Sequence, residues 1–223
     1  MTTQAQHHSI ATRSVRTIPV PDVGPLPGLL LVLVGSSFLT VTMLAASIAP
    51  AYDFHGAAIS DLGVIDETAF TFNPLLVAVG ALNIAGGYLL YRSHRRFWIL
   101  GTYVLAGIGA AGAGFVPLDT SDVHSIFALF GFVFFNVEAV ATGTLVRGPM
   151  RAISYAAGLA GLIYVVVMFI GDAGNPTIFG AIGHGGAERM IVYPPMLWTL
   201  VFGGYLMARG TVQGRGLSPR EEA

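Results

Sequence analysis

Long apolar runs, broken by short polar clusters, dominate the chain. Six can be marked, at residues 26–49, 73–91, 97–115, 123–145, 153–170 and 187–207. A helix of about 20 residues crosses about 30 Å of hydrocarbon, and these runs approach that length. The pattern predicts an all-α fold, a polytopic membrane protein built as a six-transmembrane-helix bundle over residues 26–208, with tails at 1–25 and 209–223. Asn73-Pro74 reads as the opening of the second span, with Asn as N-cap and Pro at the first helical position, where its missing N–H costs nothing. Tyr193-Pro194-Pro195 falls inside the last run. A helix beginning at Pro194 would be too short to span, so the helix is expected to start earlier and kink there. The carbonyls freed by the prolines then need partners, which suggests a polar cavity near that end of the span. GIGAAGAGF, residues 107–115, reads as a small-residue face for close helix packing.

The charges fix an orientation. Arg13, Arg16, Arg92, Arg95, Arg96, Arg147, Arg151, Arg209, Arg215 and Arg220 fall on one side of a six-span chain, and only Arg189 falls on the other. The positive-inside rule then puts the N- and C-termini in the cytoplasm of a multi-pass cell-membrane protein. Asp53, Asp61, Asp66, Glu67, Asp119, Asp122, Asp172 and Glu188 fall outside. Residues 1–25 read as a polar cytoplasmic tail. A signal peptide is not expected, because the apolar run that follows is too long and lacks a small-residue cleavage pattern.

Composition sharpens the picture by exclusion. Only 10% of the 223 residues are charged and 54% are hydrophobic, against roughly 25% charged in an ordinary globular chain. The absence of cysteine excludes disulfides and thiolate chemistry. A net charge of -1 argues against nucleic acid as a partner, which would need a basic face. No cofactor fingerprint, Gly-rich phosphate loop or nucleophile elbow is present.

The candidate chemistry lies in the outer connections. Each of the three carries one histidine (His55, His124 or His184) and at least one carboxylate. Neutral imidazoles and carboxylates are the usual ligands of a catalytic zinc, so zinc at the outer face is the one cofactor suggested, with those three histidines as ligands. Zinc-binding spacings such as H-E-x-x-H are absent. DFHGAAISDLG, residues 53–63, reads as a short interfacial helix ending at Gly63, with Asp53, Ala57, Ser60 and Asp61 on one face. PLDTSDVHS, residues 117–125, opens the fourth span, with Asp122 or Ser121 as N-cap. GHGGAERM, residues 183–190, opens the sixth. Arg189, alone at that boundary, is expected to pair with an outer carboxylate or hold an anionic headgroup. Asn136 and Glu138 are intramembrane polar residues on the fourth span, and Asn83 is the expected neighbour of Glu138 by depth. An intramembrane carboxylate suggests an ion or proton pathway, or a hydrogen-bonded interior residue.

With ISDLG at 59–63, VPLD at 116–119 followed by His124-Ser125, and Glu188-Arg189 opening the last span, the sequence resembles domain-of-unknown-function family 998, a group of prokaryotic six-span membrane proteins. The likeness covers about residues 26–208. It implies a six-helix fold and directs attention to Ser60, Asp61, Asp119, His124, Glu188 and Arg189, but it implies no reaction. A looser likeness is to the ceramidase and progestin-receptor-like superfamily of membrane metal hydrolases, which gather histidines, an aspartate and a serine at one membrane face. This chain departs from them in having six spans rather than seven and no paired histidines on its last span.

Two kinds of function follow. The chain could be an enzyme acting on a lipid or lipid-linked substrate, a hydrolase with or without metal. Ser60, Asp61, Asp119, His124, Glu188 and Arg189 would then be catalytic, and Arg189, Asn73 and Tyr193 would bind the substrate. Alternatively the cluster senses, transports or merely binds, or the chain is a structural partner of another membrane protein. The expected partners are membrane lipid and either another membrane protein or a second copy of this chain.

Overall fold

The computed structural model describes residues 24–214. Arg13, Arg16, Arg215, Arg220 and most of both expected tails lie outside the described residues. Six helices are long and apolar enough to cross a membrane, and no strand occurs among the described residues. They are α1 (Leu26–Ile48), α2 (Asp66–His94), α3 (Phe97–Phe115), α4 (Val123–Gly143), α5 (Pro149–Asp172) and α6 (Gly183–Gly214). The protein is a multi-pass membrane protein. Each helix packs on its neighbours in the chain, α6 returns to α1, and α4 also touches α6. Six described arginines, 92, 95, 96, 147, 151 and 209, gather at one end, the arginine end. The 49–65, 116–122 and 173–182 connections form the opposite, acidic end.

Several boundaries differ from expectation, α6 among them, which starts at Gly183 and runs to Gly214. The helix α2 begins at Asp66, seven residues before Asn73, so Asn73 is not an N-cap and Pro74 lies inside the helix. The missed turns are polar in sequence, but Asp66 and Glu67 suit a helix N-terminus electrostatically. Thr68 Oγ1 donates to the Leu62 carbonyl at 2.7 Å and ties the early turn down. Asn73 serves elsewhere, its Nδ2 donating to the Gly63 carbonyl at 2.8 Å. The helix α5 starts at Pro149, which occupies the first turn as proline prefers. At the head of α4, Asp122 makes no side-chain cap, while Ser121 Oγ accepts the Val123 amide at 3.2 Å.

Small residues set the helix spacing. A Cβ on Gly107 would stand 2.6 Å from the Gly80 carbonyl, and one on Gly109 would strike the backbone of Gly131. The Gly-rich face of α3 therefore meets α2 on one side and α4 on the other. Lipid tails are as apolar as leucine, so close packing of this kind holds helices together where the hydrophobic effect gives little. Polar links add to it. Asn83 Nδ2 donates to Glu138 Oε2 at 2.8 Å and to the Tyr103 carbonyl at 3.2 Å, joining α2, α4 and α3. The neighbour expected for Glu138 by depth is its actual partner. Pro195 cannot donate to the Ile191 carbonyl, and Asn136 Nδ2 takes that acceptor instead at 2.9 Å.

Candidate functional site

The acidic end is organised by two consecutive residues on the first turns of α6. Glu188 is buried, and its Oε2 accepts the Ile59 amide at 2.8 Å. Arg189 is also buried. Its Nη1 donates to the carbonyls of Phe54 and Ala57, both at 3.1 Å, and of Gly185 at 2.7 Å. Its Nη2 donates to the Tyr52 hydroxyl at 2.6 Å. The guanidinium also lies over the Phe54 ring, 4.6 Å from its centroid. The expected carboxylate partner is thus replaced by carbonyls, a phenol and an aromatic face. A planar guanidinium with five donors suits such a hub.

The 50–65 connection is folded around this hub and forms a cap. It is not the expected helix over 53–62: only Ser60–Gly63 is helical, as one 3₁₀ turn. Gly185 donates its amide to the His55 carbonyl at 2.9 Å. Gly183 has φ +67 and lies close under His55, so both its backbone angle and its lack of a Cβ are required. Tyr52 in turn donates its hydroxyl to the Ala58 carbonyl at 2.7 Å, and Asp61 Oδ2 accepts the Ala58 amide at 2.8 Å. The amides of His55 and Gly56 donate to the exposed Asp53 carboxylate and hold it below its usual range.

Burial pushes the Tyr52 phenol up to about 12, against the opposing pull of Arg189. A phenol raised above its unfolded value of about 10 contributes stability that is complete below pH 10 and lost as pH rises towards 12. In the difference between native protein and Tyr52→Phe, phenolate absorbance at 295 nm should therefore develop near pH 12. Development near pH 10 would show that Tyr52 is not held in the cap.

Two adjoining cavities lie beneath the cap. The outer one is a groove of about 590 Å³ between the cap, α4, α5 and α6. Asp61, Ser125, Asp172 and His184 line its polar part. Ile126, Leu129, Val165 and Phe169 line its apolar flank. Ile126 and Phe169 are exposed on spanning helices, so this flank opens to the outside of the bundle. The inner one is an apolar chamber of about 80 Å³ reaching Phe38, Phe72, Phe135 and Met196 in the bundle centre. Ser60, His124, Glu188 and Ala128 line both. His124 is 4% exposed. Its Nδ1 lies 2.7 Å from the Val116 carbonyl, which can only accept, so Nδ1 carries the proton. Nε2 is left as a buried acceptor without a partner.

The structure therefore brings Ser60, Asp61, His124 and Glu188 together. Asn136 reaches the inner chamber. Asp119 is exposed in the 117–120 turn, Tyr193 packs against the apolar core beside α1 and α2, and neither lines either of these two cavities. Arg189, Asn73 and Glu138 do not line either cavity. Of the three histidines expected as metal ligands, His184 Nε2 meets Asp172 Oδ1 at 3.3 Å, His55 sits on Gly183, and His124 faces the cavities. No three His, Cys, Asp or Glu side chains are grouped as ligands among the described residues. Asp172 and Tyr52 were not singled out from the sequence. A tyrosine beside an apolar run gives no sign of a guanidinium 137 residues away.

A family model described as a protein of unknown function (DUF998) matches residues 32–205. No curated protein and no solved structure matches the chain.

Proposed function

We propose, for a chain that belongs to the DUF998 family of proteins of unknown function, that the acidic end is an extracytoplasmic binding site for a lipid or lipid-linked amphiphile. The gathering of the described arginines at the opposite end supports that orientation through the positive-inside rule. The observation that carries the site is the position of His124. Its side chain, whose buried Nε2 has no partner, lines both the polar groove and the apolar chamber. A buried acceptor left without a donor is costly, about 1–3 kcal/mol, unless a ligand or water supplies one. An amphiphile satisfies all three parts: its head meets Ser60, His124 and Glu188, while a chain lies along Leu129 and Phe169 and enters the chamber. Ligand sites are mostly apolar concavities with a few convergent polar groups, which is this arrangement.

Extraction and mass spectrometry of purified protein test the reading. One lipid class should be retained by the native chain, and Ala128→Trp, which fills the junction, should lower it about tenfold or more. Equal retention by the variant would refute the site. Turnover is a second reading, carried by the same fixed tautomer, since a general base needs a free nitrogen within reach of its proton. It predicts conversion of the retained lipid by native protein and its intact recovery from His124→Ala.

A further inference from the structure

The charges of the groove specify the head it accepts. Its titratable lining is Asp61, Asp172, Glu188, His124 and His184, with no arginine or lysine. The Arg189 Nη donors and two cap amides, which could hold an anion at this end, are consumed within the fold, and the unpartnered Arg189 Nε lines neither cavity. Arg189 spends its Nη donors on Phe54, Ala57, Gly185 and Tyr52. The Ala58 amide is taken by Asp61 and the Ile59 amide by Glu188. The other described arginines lie at or near the far ends of their helices. Acceptors remain: the buried, unpartnered Nε2 of His124, a side chain that lines the groove, and the carboxylates beside it.

We infer that the groove selects an amphiphile with a hydrogen-bond-donor head, an ammonium or a set of hydroxyls, and discriminates against phosphate and carboxylate heads. This rests on the amphiphile reading above. A phosphate would bring acceptor oxygens and charge of about -1.5 to -2 against carboxylates, with no arginine or lysine to meet them and only the hydroxyls of Ser60 and Ser125 beside the histidines as donors. An ammonium supplies three donors and a compensating charge; hydroxyls supply donors without charge. Arg189, expected to pair with an outer carboxylate or hold an anionic headgroup, does not line the groove.

The test is native mass spectrometry of the full chain with dodecylamine, dodecyl glucoside and dodecyl phosphate at equal concentration. Native protein should retain the amine, the glucoside or both at least tenfold over the phosphate. Ala128→Trp and Leu129→Trp, two separate obstructions of the groove, should each abolish that retention. Asp172→Asn separates the two head types: it should weaken the amine selectively if charge is read, and leave the glucoside unchanged if hydroxyls are read. Phosphate retained as well as the others, and lost in both tryptophan variants, would overturn the inference while leaving the amphiphile site standing. Retention of every probe unaffected by either tryptophan would overturn the site itself.

Discussion

Arg189→Met should release the cap from the bundle. Methionine keeps much of the length and none of the donors. The carbonyls of Phe54 and Ala57 and the Tyr52 hydroxyl then lose their shared partner. Hydrogen bonds to a charged group contribute about 1.5–3 kcal/mol each, and a buried acceptor left unpaired costs about 1–3 kcal/mol. Partial hydration of the loosened cap offsets part of that sum. A net loss of roughly 3–5 kcal/mol corresponds to a Tm lower by about 10 °C for a chain of this size. The damage should be local first, so limited proteolysis should cut within residues 52–58 while the spans stay intact. Arg189→Lys should recover only part of the stability, because an ammonium cannot reach three carbonyls and a phenol in one plane. An unchanged Tm with an uncut cap would show that the hub is incidental.

Gly109→Leu should have the larger effect on assembly. Even a Cβ at this position meets the backbone of Gly131, which cannot rotate away as a side chain can. Leucine adds three further carbons. To seat it, α3 and α4 must separate, and separation also disturbs the Gly80–Gly107 contact on the other side of α3. The cost exceeds the roughly 1–3 kcal/mol typical of overpacking against movable side chains. The variant should fail to give a monodisperse species after extraction from the membrane. Gly204→Leu is the matched control: nothing lies within 4 Å of a Cβ there, and it should behave as the native protein does. Equal behaviour of the two variants would remove close α3–α4 packing as the basis of the fold.

Much of this fold was legible in the sequence because hydrocarbon imposes a length. The limits of α3 at 97 and 115 follow directly from the apolar run. The start of α2 did not, since Asp66, Glu67 and Thr68 read as loop while electrostatics and a side-chain bond to Leu62 extend the helix through them. Depth along the spans located Asn83 beside Glu138. The site was legible in membership more than in arrangement. Ser60, Asp61, His124 and Glu188 were identified as residues, but the cap that carries two of them takes its shape from Arg189, more than 120 positions away. No local periodicity encodes that. Periodicity predicted a helix for 53–62, and docking against α6 overrode it. Arg189 was expected to meet a carboxylate. Instead the neighbouring carboxylates, Asp61 and Glu188, accept backbone amides of the cap.

The central proposal, that the groove admits an amphiphile from the membrane side, is tested most directly by photolabelling. A dodecyl probe with a hydroxylated head and a diazirine near the chain end would be incorporated into membranes holding the protein, and the labelled peptides mapped. Label should concentrate on residues 124–135 of α4, on 165–169 of α5 and on the chamber lining at Phe38, Phe72 and Met196, and Ala128→Trp should suppress it. Label spread over the lipid-facing positions of other spans, such as Leu33, Met43 and Tyr88, with no excess at the groove, would contradict it.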